Sequence, residues 1–133
     1  MTNFDKVREF HETYGAEIRK EPDWPADTSI ALRISLLDEE LDELRDAIAE
    51  LDIVGVADAL GDILYVAYGA GHTFGIDLDR VFAEIHRSNM SKLGSDGKPI
   101  RRDDGKVLKG PNYSPPDLQF IVTETTIDSI QGY

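Results

Sequence analysis

Cysteine is absent from this chain of 133 residues. That excludes disulfides and thiolate metal sites, and it is consistent with a cytoplasmic location, the one expected here. Basic residues are scarce: 14 Lys and Arg stand against 26 Asp and Glu, a formal charge of −12. A surface of that sign argues against nonspecific binding to nucleic acid or to an anionic membrane. No hydrophobic run reaches membrane-spanning length free of charge and glycine, and the N-terminus lacks a signal-peptide pattern. The acidity does not exclude a phosphate-bearing small molecule, because a bound cation reverses the local field.

The length predicts one domain with chain enough to bury a core. Residues 1–92 read as its helical body and 93–133 as a C-terminal arm. A first helix is expected from about Asn3 to Arg19. Thr2 and Asp5 form an acidic variant of the capping box there, and Phe4, Val7, His11, Tyr14 and Ile18 form an apolar stripe. His11 reads as a core or interface residue, with substrate contact as the alternative. Pro22 and Pro25 bracket Trp24 in a loop.

A second helix should span about Asp27 to Leu51, with Ile30, Ile34, Leu37, Leu41, Leu44, Ile48 and Leu51 as a continuous packing seam. A third covers about Val54 to Thr73 and closes at Gly75. A fourth runs from Asp77 as N-cap to about Met90, its inward face ending in Asn89 with Lys92 next along the line. Beyond it the chain changes character. Six of the 14 basic residues lie between Lys92 and Lys109, among turn-forming glycines. The piece KPIRRDDGKVLK can fold as a hairpin across Asp103, Asp104 and Gly105. LQFIVTETT, further on, is a strand-like run. The basic segment, including Lys106 and Lys109, reads as a lid over a phosphate-bearing ligand or as a strap between subunits. The fold class is therefore all-α, a four-helix bundle with an irregular arm that contains the hairpin.

Two acid clusters carry the chemistry. Asp58 and Asp62 are the only acids in the apolar stretch from Ile53 to Ile76, and their spacing puts both on one helix face. Burying unpaired carboxylates is costly, so such groups pair, protonate or bind a cation. On the second helix, at about 100° per residue, Glu40 falls beside the seam, Glu43 slightly further round and Glu39 further still. Asp38, Asp42 and Asp46 occupy the opposite, solvated side. Glu39, Glu40, Glu43, Asp58 and Asp62 without thiols fit Mg²⁺, with Mn²⁺ as the alternative, better than zinc. A helical di-iron centre needs Glu three residues before His. The residues three before His11, His72 and His86 are Arg8, Gly69 and Ala83.

The pattern Glu39-Glu40-x-x-Glu43 followed by Asp58-Ala-Leu-Gly-Asp62-Ile-Leu-Tyr resembles the all-α nucleoside triphosphate pyrophosphohydrolases. That group includes MazG, the dimeric dUTPases and phosphoribosyl-ATP pyrophosphohydrolase. The later blocks HRSNMSKLGSDGKPI and GKVLKGPNYSPPDL are similar to its MazG-like and phosphoribosyl-ATP-pyrophosphohydrolase-like branch. The resemblance implies Mg²⁺-dependent cleavage between the α and β phosphates of a (d)NTP, giving a monophosphate and pyrophosphate in a housekeeping role. It implies Glu39, Glu40, Glu43 and Asp62 as metal ligands, one glutamate polarising the attacking water instead, and Asn89 and Lys92 near the phosphates. It also implies a homodimer or homotetramer with sites completed across subunits. The chain departs from the pattern at Ala59, where the family often has Glu, and Asp58 one residue earlier is the candidate substitute. The alternatives are phosphoribosyl-ATP hydrolysis, a noncatalytic helical assembly protein and a polyphosphate-binding regulator. Trp24, Tyr14, His11 and Tyr113 are candidates for stacking on a base.

Overall fold

The computed structural model describes residues 1–122. Four helices, α1 (Asn3–Tyr14), α2 (Asp27–Ala49), α3 (Ile53–Phe74) and α4 (Leu78–Met90), precede strands β1 (Ile100–Arg101) and β2 (Val107–Leu108). The all-α expectation holds, with one small hairpin in the arm.

α1 opens on the anticipated capping box: the Asp5 amide donates to the Thr2 hydroxyl and the Thr2 amide to the Asp5 carboxylate. It ends earlier than expected. Gly15 adopts the left-handed conformation at φ 72°, and the Ala16 amide returns to the His11 carbonyl. That closes the helix before Ile18. Phe4, Val7 and His11 are buried, so the first part of the predicted stripe is the packing face.

α2 and α3 form an antiparallel hairpin, with Asp52 capping α3 through the Gly55 amide. The seam read from the sequence divides in two. Ile30, Leu37 and Leu44 are half-buried, and beside them Arg33, Glu40 and Ala47 lie on the stripe that meets α3. Ile34, Leu41 and Ile48 face the other way and are exposed. On α3 the matching stripe contains Ala59, Asp62, Val66, Gly69 and Thr73, whereas Leu60 and Leu64 are exposed. α3 is thus not buried all round, as its composition suggested. It is long and apolar enough to cross a membrane by length and composition. Asp58 and Asp62 interrupt it, each costing about 2.5–3.5 kcal/mol at a bilayer centre.

Gly75 ends α3 at φ 74° with the Glu21 carbonyl pressed where a Cβ would stand. Asp77 caps α4 through the Asp79 and Arg80 amides. Thr2 donates to Asp79 at 2.8 Å, tying the starts of α1 and α4 together.

In the hairpin Ile100 pairs with Leu108 and Arg101 with Val107. The turn passes through Gly105 at φ 90°. The arm then docks along α4: the Ser114 amide donates to Ser91 Oγ at 2.8 Å, and the Asp117 amide to Glu84 Oε2 at 2.7 Å. Residues 118–122 make a helical turn that buries Ile121, not the strand expected from LQFIVTETT. The run alternates too little to choose a strand, and packing against α4 decides. Its last residues, 123–126, lie outside the described residues.

Candidate metal centre

The α2/α3 hairpin brings Glu40, Glu43 and Asp62 together. One carboxylate oxygen from each lies within 4.8 Å of the others. Glu40 and Asp62 are half-buried on the facing stripes, and Glu43 is exposed one turn along α2. Helical spacing therefore supplies two acids from one helix and the third from its neighbour.

The electrostatics of this arrangement are unfavourable without a cation. Partial burial pushes the Glu40 carboxyl up to about 7, with further contributions from a hydrogen bond with Glu43 and the charges of Asp62, Glu43 and Asp58. Asp62 is raised as well, first by burial and then by Asp58 and Glu43. Glu40 Oε2 is buried with no hydrogen-bond partner. Carboxylates that repel one another while an oxygen lacks a donor mark a site suited to a positive ion. The all-oxygen donor set fits a hard divalent cation.

The remaining predicted residues are placed less closely. Asp58 is exposed one turn before Asp62, and its charge acts on both Glu40 and Asp62, but it stands outside the three-oxygen group. Ala59 is 1% exposed and faces α2, so a small side chain fills the position where the family pattern has Glu. Glu39 is exposed and also outside the group. Asn89 is exposed and Lys92 half-buried at the end of α4. Lys106 and Lys109 are exposed in the arm, Lys109 lying 5.0 Å from the Tyr113 ring centre. Among the described residues, no hydrogen bond or ion pair joins these four to the acids.

His11 is buried, with its Nδ1 2.9 Å from the Glu17 carbonyl. That carbonyl can only accept, so Nδ1 carries the proton and Nε2 is an acceptor. Nε2 meets Arg33 Nη1 at 3.5 Å. Sequence reading passed over Arg33, since a lone cation on a helix carries no motif. The glycine seven residues after Asp62 was a usable signal, because only Gly69 leaves room for that guanidinium.

The family profile of phosphoribosyl-ATP pyrophosphohydrolase matches residues 7–89, from within α1 almost to the end of α4. An uncharacterised protein of Acanthamoeba polyphaga mimivirus is 36% identical over 110 residues, 74% of this chain. The match spans 38% of that viral protein's length. The crystal structure of a candidate NTP pyrophosphohydrolase from Exiguobacterium sp. 255-15 superposes with a TM-score of 0.51 at 23% identity. The match covers 99% of this chain and 98% of the other, and shows the shared fold. With the acid pattern on the facing helices and the profile spanning most of the four-helix body, this chain belongs to the phosphoribosyl-ATP pyrophosphohydrolase family of the all-α, MazG-like superfamily.

Proposed function

We propose that the protein is a Mg²⁺-dependent nucleotide pyrophosphohydrolase that converts a (d)NTP to the monophosphate and pyrophosphate. One observation carries this reading. Three carboxylates converge from two packed helices, and one of them, the half-buried Glu40, leaves an oxygen without a partner. A noncatalytic scaffold gains nothing from that arrangement, which costs desolvation and repulsion.

Glu40, Glu43 and Asp62 would hold Mg²⁺, or Mn²⁺ in its place. The ion would supply charge neutralisation for the phosphates and Lewis acidity. Water attacks the α-phosphorus, the bond to the bridging oxygen of the β-phosphate breaks, and pyrophosphate leaves. Glu39 and Asp58 remain as the acids available to polarise that water. Asp58 is the better placed, because its charge already acts on Glu40 and Asp62. Contacts from Asn89, Lys92, Lys106 and Lys109 to the phosphates would come from a second copy of the chain. Among the described residues, no hydrogen bond or ion pair joins them to the acids of the same chain.

The family profile favours a second substrate, phosphoribosyl-ATP, cleaved at the same bond. Pyrophosphate release across a panel of (d)NTPs and phosphoribosyl-ATP, with Mg²⁺ and with EDTA, tests both readings. Release from at least one nucleotide, abolished by EDTA, is expected. No release from any member of the panel would overturn both.

A further inference from the structure

The facing stripes of α2 and α3 that hold the carboxylates also carry a cation. Arg33 lies seven residues before Glu40 on α2, and Gly69 seven residues after Asp62 on α3. Seven residues are nearly two turns, so both keep to the facing stripes, ~10 Å along the hairpin from the acids. A Cβ on Gly69 would stand 2.7 Å from Arg33 Nη1 and 3.0 Å from His11 Nε2. The guanidinium occupies the space that the glycine leaves.

That guanidinium is poorly satisfied. Its Nη1 reaches His11 Nε2 at 3.5 Å, the weak limit of a hydrogen bond. Its Nε is buried without a partner. No ion pair to Arg33 exists among the described residues, in a chain with 26 acids and 14 bases. Partial burial draws its pKa down, but an arginine stays charged. A half-buried cation with one long hydrogen bond is costly as packing alone. A planar fork of donors matches a paired acceptor edge, and the O6/N7 edge of guanine is the best fit among the bases.

We propose that Arg33, oriented by His11, is a specificity-determining residue that binds the acceptor edge of the nucleobase while the phosphates lie at Glu40, Glu43 and Asp62. This rests on the pyrophosphohydrolase reading, and it adds a preference for bases with carbonyl acceptors. The separation of ~10 Å along the hairpin suits a nucleotide whose α-phosphate is at the acids.

Calorimetry with Mg²⁺ tests it, using two ligands: α,β-methylene-GTP, which resists cleavage, and inorganic tripolyphosphate, which has no base. Arg33→Gln should weaken binding of the nucleotide by roughly ten- to hundredfold, the range for a hydrogen bond to a charged group. Tripolyphosphate affinity should be unchanged. Arg33→Lys, which keeps the charge but loses the fork, should recover only part of the loss. His11→Gln should fall between wild type and Arg33→Gln. Equal affinities in wild type and either Arg33 variant, or an equal loss for both ligands, would overturn the assignment to the base. Should Arg33→Gln fail to fold, the nucleotide-to-tripolyphosphate ratio of Arg33→Lys decides alone. Wild type that binds neither ligand would remove the pyrophosphohydrolase reading itself.

Discussion

Glu40 stands on the stripe of α2 that meets α3, and that position governs both its stability and its chemistry. Its carboxyl is raised from an ordinary value near 4.5 to about 7, chiefly by burial. A raised folded-state value means a contribution to stability that is complete below the unfolded value and lost as pH rises through the folded one. At pH 8 in EDTA, therefore, Glu40→Gln should melt at a higher temperature than wild type. In Mg²⁺ the order should reverse, because the variant loses a ligand and with it the stabilisation by the ion. Thermal melts with and without the cation check both signs. His72 works in the other direction. It is buried, its Nε2 donates to the Phe4 carbonyl at 2.8 Å, and burial holds its pKa below 6.5. The stability from neutral His72 is present above the unfolded value near 6.5 and is lost as pH falls through the lower folded value. The melting temperature should fall on acidification below about pH 6, and less so in His72→Asn. At this scale the sequence was informative about which acids share a face. Helical spacing separated Glu40 and Glu43 from the solvated Asp38, Asp42 and Asp46. Spacing could not tell that Glu40 lies on the buried stripe and not beside it, because that depends on which of two apolar half-faces meets α3.

Two glycines of α3 distinguish what the helix needs inside the chain from what it presents outside. Gly61 has open space where a Cβ would stand, whereas Gly69 has Arg33 and His11. Gly61→Ala should gain the helix propensity of about 1 kcal/mol. Gly69→Ala should instead lose about 1–3 kcal/mol through overpacking. Denaturant midpoints at constant slope would show the two opposite shifts. A loss at Gly61 would mean that another chain or ligand approaches there. The elements themselves were largely legible. The caps at Thr2, Asp77 and Gly75 and the hairpin across Gly105 all appear as the local residues dictate. The errors have specific causes. The apolar stripe of α1 continues to Ile18, but a left-handed Gly15 ends the helix. Residues 118–122 follow their packing on α4 and not their β-propensity.

At the scale of the molecule, one chain leaves its apolar surface incomplete. Ile34 and Ile48 are 55% and 56% exposed on α2, and Leu64 is 57% exposed on α3. Exposed apolar faces of this kind are where we propose that a second copy of the chain packs. Light scattering should give at least a dimer at micromolar protein, and Ile34→Glu should shift it towards the monomer. A monomeric wild type would contradict this and remove the proposed source of Asn89 and Lys92. The sequence shows more apolar stripes than one core needs, but it could not apportion them between buried and exposed faces, because that depends on which half-face of α2 meets α3. The most direct test remains the carboxylate centre. Pyrophosphate release by Asp62→Asn should be at least about 100-fold slower than by wild type in Mg²⁺, with the helical circular dichroism spectrum unchanged. Wild-type rates in a folded Asp62→Asn would contradict the assignment of this site.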